Sequence, residues 1–284
     1  MCEFCLKHGE GRKWYLEARN YSEDLASDVN RRKMITEFFE HPKEASEGIT
    51  KMLEKTERLQ TLPKFVRDWI VYMITRNQKK IHFGQVVPIE DVEKVFALTN
   101  SIVRVACYCR FSTVGKEKRY CYGISLSPEG GIAEIVSGLS DTFLTGPNTA
   151  GLEKLTREQA LEAFRKHERE GLCHTIWTFQ TPFIGGICNC DRSDCWAMRF
   201  TLSHGMPMMF RAEYVGQIEP DACNGCRECI RQCQFGALTW SASNKKAVID
   251  QRWCYGCGIC RAVCKEKAIT LVARAECPAA ANLW

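Results

Sequence analysis

Two segments of this 284-residue chain repeat each other at a fixed offset of 31 residues. Cys223, Cys226, Cys229 and Cys233 fall on Cys254, Cys257, Cys260 and Cys264. Ile218 falls on Ile249, Gly225 on Gly256 and Ala237 on Ala268. Self-similarity this tight marks a duplicated supersecondary unit. Each half reads as strand, cysteine loop, short helix, strand.

The spacing carries its own chemistry. Three cysteines at C-x2-C-x2-C wrap one iron–sulfur cube within a loop, and the fourth lies on the following helix and reaches the other cube. The expected ligand sets therefore cross between halves. Cluster I takes Cys223, Cys226, Cys229 and Cys264; cluster II takes Cys254, Cys257, Cys260 and Cys233. Gly225, Gly256 and Gly258 let the loop backbone approach a cluster without a Cβ in the way. Over residues 214–273 the sequence resembles the two-[4Fe–4S] bacterial-type ferredoxin family. It departs where that family has proline after the fourth cysteine: Gln234 and Lys265 stand there, each restoring a backbone N–H.

Eighteen cysteines, a formal charge of +5, 45% hydrophobic and 26% charged residues describe an ordinary globular chain with unusual metal-binding capacity. Clustered cysteines in a reducing compartment point to metal rather than disulfides. No apolar run approaches the ~18 residues that span a bilayer, and the first residues lack a signal-peptide pattern. The expectation is a cytoplasmic protein without a membrane span. The bulk charge ignores the clusters and gives no reason to expect nucleic acid. No phosphate-binding glycine loop, nucleotide fingerprint or Ser/His/Asp nucleophile signature is present.

Six further cysteines lie upstream: Cys107, Cys109, Cys121, Cys188, Cys190 and Cys195. Two groups are C-x-C. Residues 102–109 alternate like a strand, which would put Cys107 and Cys109 on one face. These six are candidate ligands of a third iron–sulfur centre; the alternatives are small buried hydrophobes without metal and one structural zinc. Arg110, His174 and Arg192 are candidate assisting groups. Cys2, Cys5 and His8 form a weaker C-x2-C-x2-H candidate. Cys173 and Cys277 fit no pattern. The order Cys107-Tyr-Cys-Arg110, Gly171-Leu-Cys-His174, Ile187-Cys-Asn-Cys190, then the ferredoxin module, resembles a group of iron–sulfur proteins from anaerobes. That resemblance implies redox partnership in anaerobic metabolism. The group's cysteine run after I-C-N-C is denser than the Asp191-Arg-Ser-Asp-Cys195 found here.

The expected fold class is α+β, in three parts: a helical region over 1–85, a small central cysteine-rich α/β domain over 86–212, and a dicluster ferredoxin domain over 213–284. Ser22 is a candidate N-cap, Pro42 a helix breaker, and Pro63 opens a helix whose stripe of Phe65, Val66, Trp69, Ile70, Met73 and Ile74 reads as core. Thr156 and Gln159 form a candidate capping box. The function implied is single-electron transfer to or from a ferredoxin, a flavodoxin or a catalytic oxidoreductase subunit. An iron–sulfur enzyme with an open central cluster and a redox sensor or scaffold are the alternatives. Residues 221–284 hold nine basic and five acidic side chains, which suggests a basic rim for an acidic carrier.

Overall fold

The computed structural model describes residues 13–81, 84–115, 119–128, 131–137 and 152–283. Cys2, Cys5 and His8 lie outside the described residues.

The centre is a six-stranded sheet in which every neighbouring pair is antiparallel. Its strands are β1 (Gly84–Val86), β2 (Ser101–Val105), β3 (Cys121–Ser125), β4 (Glu153–Lys154), β5 (Cys173–Thr178) and β6 (Ile184–Cys190), in spatial order β1-β5-β6-β3-β2-β4. The chain is thus α+β, and among the described residues the central sheet lacks the parallel crossovers that define an α/β domain.

Strand alternation sends neighbouring side chains to opposite faces. Ile102, Tyr122, Ile124, Ile176 and Ile187 pack on one face against Val92, Val95, Phe96, Ala160 and Phe164 of helices Ile89–Leu98 and Arg157–Arg169. Val103 and Val105 face the other side. There they meet Ile35 and Phe39 of helix Val29–Glu40, Leu53 of helix Pro42–Leu59, and Trp196 and Phe200 of helix Trp196–Ser203. The N-terminal helices share this core with the sheet.

Helix ends follow local chemistry. Thr156 accepts from the Gln159 N–H while the Gln159 side chain accepts from the Thr156 N–H, closing a full capping box. Pro42 ends one helix and supplies the first turn of the next, so the second helix begins at 42, not near 47. Ser22 sits at an N-cap without a side-chain bond, whereas Asp28 caps the following helix through the Arg31 N–H. Helix Lys64–Ile81 corrects the expected core stripe. Val71 and Ile74 pack inward, while Phe65, Trp69 and Met73 are exposed, as is Tyr72. Both stripes have helical spacing, so periodicity alone does not say which one meets the core.

The last 70 residues form a separate supersecondary unit. β7 (Tyr214–Ile218) pairs with β10 (Ile269–Ala273), and β8 (Leu238–Ser241) pairs with β9 (Lys246–Ile249). The first strand of one repeat thus pairs with the last strand of the other. That exchange carries Cys233 toward the second loop and Cys264 toward the first. Short helices Glu228–Gln232 and Ile259–Ala262 follow the two loops.

Candidate iron–sulfur sites

Two recesses open in the C-terminal unit. The first has about 350 Å³ of empty space, part of it open to solvent, and is lined by Cys223, Cys226, Cys229 and Cys264 with Ile218, Ala247, Ala268 and Ile269. The second has about 380 Å³ and is lined by Cys233, Cys254, Cys257 and Cys260 with Phe235, Leu238, Ile249 and Ile259. Each recess gathers three cysteines of one repeat and one of the other. Four thiols around an apolar hollow are the donor set a four-iron cube takes. The loops permit it because Gly225 and Gly256 both have positive φ, +75° and +71°. A Cβ at Gly225 would overlap the Lys245 carbonyl, and one at Gly256 the Tyr214 carbonyl.

Residues 222–269 match the 4Fe-4S dicluster domain family. The C-terminal unit is therefore a ferredoxin-like iron–sulfur module, as its repeat implied. Similar sequences occur as segments of other redox proteins. The indolepyruvate oxidoreductase subunit IorA of Pyrococcus abyssi is 38% identical over 60 residues, 21% of this chain and 9% of that protein. A subunit of an ion-translocating oxidoreductase complex of Methanosarcina acetivorans is 43% identical over 49 residues, 17% of this chain and 18% of that protein. An archaeal-type glutamate synthase of Thermotoga maritima is 30% identical over 59 residues, 21% of this chain and 12% of that enzyme. This chain thus spans less than a fifth of the length of these relatives.

The module is seated on the central part by specific contacts. Gln234, at the position of the family's proline, donates from Nε2 to the Gly171 carbonyl at 2.8 Å and accepts from the Arg192 N–H at 3.1 Å. Arg261 pairs with Glu90 at 2.5 Å, so it faces the central helix layer and is not part of a free basic rim. Arg231 pairs with Glu228 and Arg252 with Asp250, and Arg227 lies over the Trp240 ring. Lys265 and Lys267 are exposed. Arg274, buried, donates to the carbonyls of Ala212, Tyr214 and Cys254 at 2.6–2.8 Å and so fixes the second cysteine loop. A lone arginine after a strand gave no signal for this role.

The six upstream cysteines meet in one place. Cys121 and Cys188 are cross-strand partners on β3 and β6. Cys188 and Cys190 share a face by alternation, and the residue opposite Cys190 is Cys173 on β5. Cys107 and Cys109 do not lie on a strand. β2 ends at Val105, and Cys107 is the N-cap of helix Tyr108–Val114. Cys195 is likewise the N-cap of helix Trp196–Ser203. Two helix starts and two strands thereby converge, and helix N-termini favour thiolates. Thiol contacts run in series: Cys188 to Cys121, Cys121 to Cys107, Cys107 to Cys109, Cys109 to Cys195, and Cys195 to Cys190. Cys107, Cys190 and Cys195 are buried. No group of three or more His, Cys, Asp or Glu side chains among the described residues is arranged to hold a single metal ion. That holds equally for the eight ferredoxin cysteines, so single-ion geometry does not discriminate here.

Arg110 is the cation of this site and is 2% exposed. Its guanidinium lies 3.6 Å from Cys107 Sγ, donates to the Asn189 carbonyl at 3.1 Å, and pairs with Asp191 and, at 3.6 Å, with Asp194. Burial opposes its charge; Cys107, Asp191 and Cys190 more than restore it. Arg192 is exposed, and nothing places its side chain in the site. Cys173, without a motif of its own, is fully buried, donates to the His174 carbonyl at 3.7 Å, and lies beside Cys257 of the second recess. The central cysteines and the second recess share one packed core, with Phe235, Tyr255 and Ile259 between them.

His174 projects to the opposite sheet face from Cys173, beside Phe164. Its Nδ1 lies 2.6 Å from Asn189 Oδ1, an orientation of the amide fixed by Asn189 Nδ2 donating to the Tyr120 carbonyl at 3.0 Å. Nδ1 therefore carries the hydrogen, and the bare Nε2 stands 3.9 Å from Glu168 Oε1. Burial lowers the His174 pKa to about 4 from 6.5. Burial raises Glu168 to about 7 from 4.5, opposed by Arg261. Their linkages have opposite signs. Below 6.5 the unfolded chain protonates its histidine before the folded one does, so His174 withdraws stability as pH falls toward 4. Glu168 stays protonated in the fold to about 7, so its contribution is full below 4.5 and is lost as pH rises through 7. Between pH 4.5 and 6.5 the two slopes offset each other. Glu168→Gln is expected to unmask the histidine. Its stability relative to wild type should fall as pH drops from about 7 to 4.5, the window in which only the wild type carries the offsetting Glu168 slope, by up to about 3 kcal/mol. Chemical denaturation across that range checks this, and parallel curves for the two proteins would refute it.

Proposed function

We propose that the chain is an electron-transfer protein or subunit that passes single electrons between a low-potential donor and a larger oxidoreductase. Cys223, Cys226, Cys229 and Cys264 would hold cluster I, and Cys254, Cys257, Cys260 and Cys233 cluster II. A third iron–sulfur centre would draw its ligands from Cys107, Cys109, Cys121, Cys188, Cys190 and Cys195. When bound, such groups supply one-electron chemistry, and the protein sets distance, docking and potential. The observation that carries the reading is the placement of the three cysteine sets. The first recess opens at the surface, where Cys226 is exposed. The second lies inward of it, and Cys173 links its Cys257 to the strand pair that carries Cys190. The resemblance of the module to segments of oxidoreductase subunits supports the same assignment. Arg110 offsets thiolate charge within the central site, Arg274 holds the second cysteine loop, and Gln234, next to Cys233, ties the module to Gly171 and Arg192.

Two cubes account for about eight irons. The anaerobically isolated chain is expected to carry a clear excess over eight. Replacing Cys107 and Cys195 together with serine should remove the excess and leave the eight. Iron quantitation on both proteins decides it: eight irons in the wild-type chain, or one zinc in place of the excess, would overturn the third centre.

A further inference from the structure

Six thiols converge where a cube needs four, and one pair differs from the rest. Cys121 Sγ and Cys188 Sγ are 3.3 Å apart. They are register partners on β3 and β6. One step outward, the Asn189 N–H donates to the Tyr120 carbonyl at 2.8 Å. Ladder bonds alternate in an antiparallel pair, so Cys121 and Cys188 occupy a non-hydrogen-bonded position, where Cα atoms stand ~4.5 Å apart and side chains are closest. That separation falls within the ~4.4–6.8 Å that a disulfide spans. The remaining four, Cys107, Cys109, Cys195 and Cys190, form their own contact series around two helix starts. Arg110 lies against Cys107 of this set. Cys121, Cys188 and Cys109 are partly exposed residues, whereas Cys107, Cys190 and Cys195 are buried, so register and Sγ separation set the pair apart, not exposure.

We infer that Cys121 and Cys188 form a redox-active dithiol–disulfide couple beside an iron–sulfur centre held by Cys107, Cys109, Cys190 and Cys195. This rests on the third centre proposed above and divides its six cysteines into ligands and a two-electron store. On oxidation two S–H bonds break and one S–S bond forms. Two protons pass to water, and two electrons go singly to two oxidised one-electron carriers of the ferredoxin or flavodoxin class. Reduction reverses each step. The contact between Cys121 and Cys107 puts the couple directly against the ligand set. The chain would thus join one-electron carriers to a two-electron thiol reaction.

The test uses the full-length chain, isolated anaerobically and equilibrated with reduced and oxidised dithiothreitol in varied ratio. Alkylation under denaturing conditions and peptide mass mapping then read the thiols. A Cys121–Cys188 disulfide is expected to appear and disappear with the ratio while iron per chain stays constant. Coulometric reduction of the oxidised wild type should consume two more electrons than the Cys121→Ser, Cys188→Ser double variant, whose iron content should equal that of wild type. Loss of the iron beyond eight in the double variant would make the pair ligands and overturn the inference. So would the absence of a 121–188 linkage at every ratio, which needs no variant to fold. A wild-type chain holding only about eight irons would instead remove the neighbouring centre. That failure is distinguishable because the disulfide is read by mass, without iron.

Discussion

Arg110→Met is expected to destabilise the protein by about 3–5 kcal/mol, the usual cost of removing one partner of a buried ion pair. The guanidinium is 2% exposed and serves Asp191, Asp194, the Asn189 carbonyl and Cys107 at once. Methionine refills most of the volume, so the loss comes from charge and hydrogen bonds and not from a cavity. Asp191 would keep the Ser193 hydroxyl and the Asp194 N–H but lose its charge partner, and the carbonyl of the fully buried Asn189 would lose the guanidinium donor. In a chain of this size the change corresponds to a fall in Tm of about 10 °C. Arg110→Lys should recover only part of it, because one ammonium does not reproduce a planar fork that reaches several acceptors in fixed geometry. Adding Asp191→Asn to Arg110→Met should also recover part, since the orphaned charge is removed. Anaerobic thermal or urea unfolding of the four proteins gives the comparison. A loss below about 1 kcal/mol in Arg110→Met would mean that the carboxylates find water and that the pair is a surface interaction of ordinary size.

Cys233→Ser should damage the same cluster as Cys257→Ser, and should leave the cluster lost in Cys226→Ser. Cys233 lies within the first repeat in sequence, yet it lines the second recess with Cys254, Cys257 and Cys260. Cys264 makes the reciprocal exchange into the first recess. About four irons should be lost from the module in each single variant, since a cube holds four. Electron paramagnetic resonance of the reduced proteins should show one shared missing species for Cys233→Ser and Cys257→Ser. If Cys233→Ser instead abolishes the species missing in Cys226→Ser, the crossed assignment is wrong. The inner position of the second recess adds a second expectation. Cys257 lies beside Cys173 in the core shared with the central cysteines. Loss of the second cluster should therefore disturb the central site, whereas loss of the first should not.

The ferredoxin module was legible because its information is local. Three ligands sit within seven residues, the helix and its fourth cysteine follow at once, and the duplication shows the same pattern twice. The capping box at Thr156 and the break at Pro42 were legible for the same reason: caps and prolines act within one turn. The six central cysteines were legible as ligand types but not as a site. Their meeting depends on which strands pair and in what register, and register is a long-range property. β3 and β6 bring Cys121 to Cys188 across 67 residues of sequence. β5 and β6 bring Cys173 opposite Cys190, which turns an unassigned cysteine into the link to the second recess.

Two local readings failed for a related reason. The segment from Ile102 to Cys109 alternates over so few residues that a strand and a strand followed by a helix start look alike. Packing of Tyr108 against Phe38 and Trp196 decides for the helix. The helix over Lys64–Ile81 carries apolar residues on more than one face, and only the position of the sheet selects Val71 and Ile74 as its inner side. The basic side chains of the module were countable but not their partners, and Arg261 is held by Glu90, 171 residues away in the chain. Cysteine spacing and repeat set the chemistry before any fold was known, because ligand loops and helix caps are closed by neighbours in the chain. Which cysteines share a centre, which charges are free and which cluster lies inward came from the folded molecule alone, because those depend on strand register and on packing between distant segments.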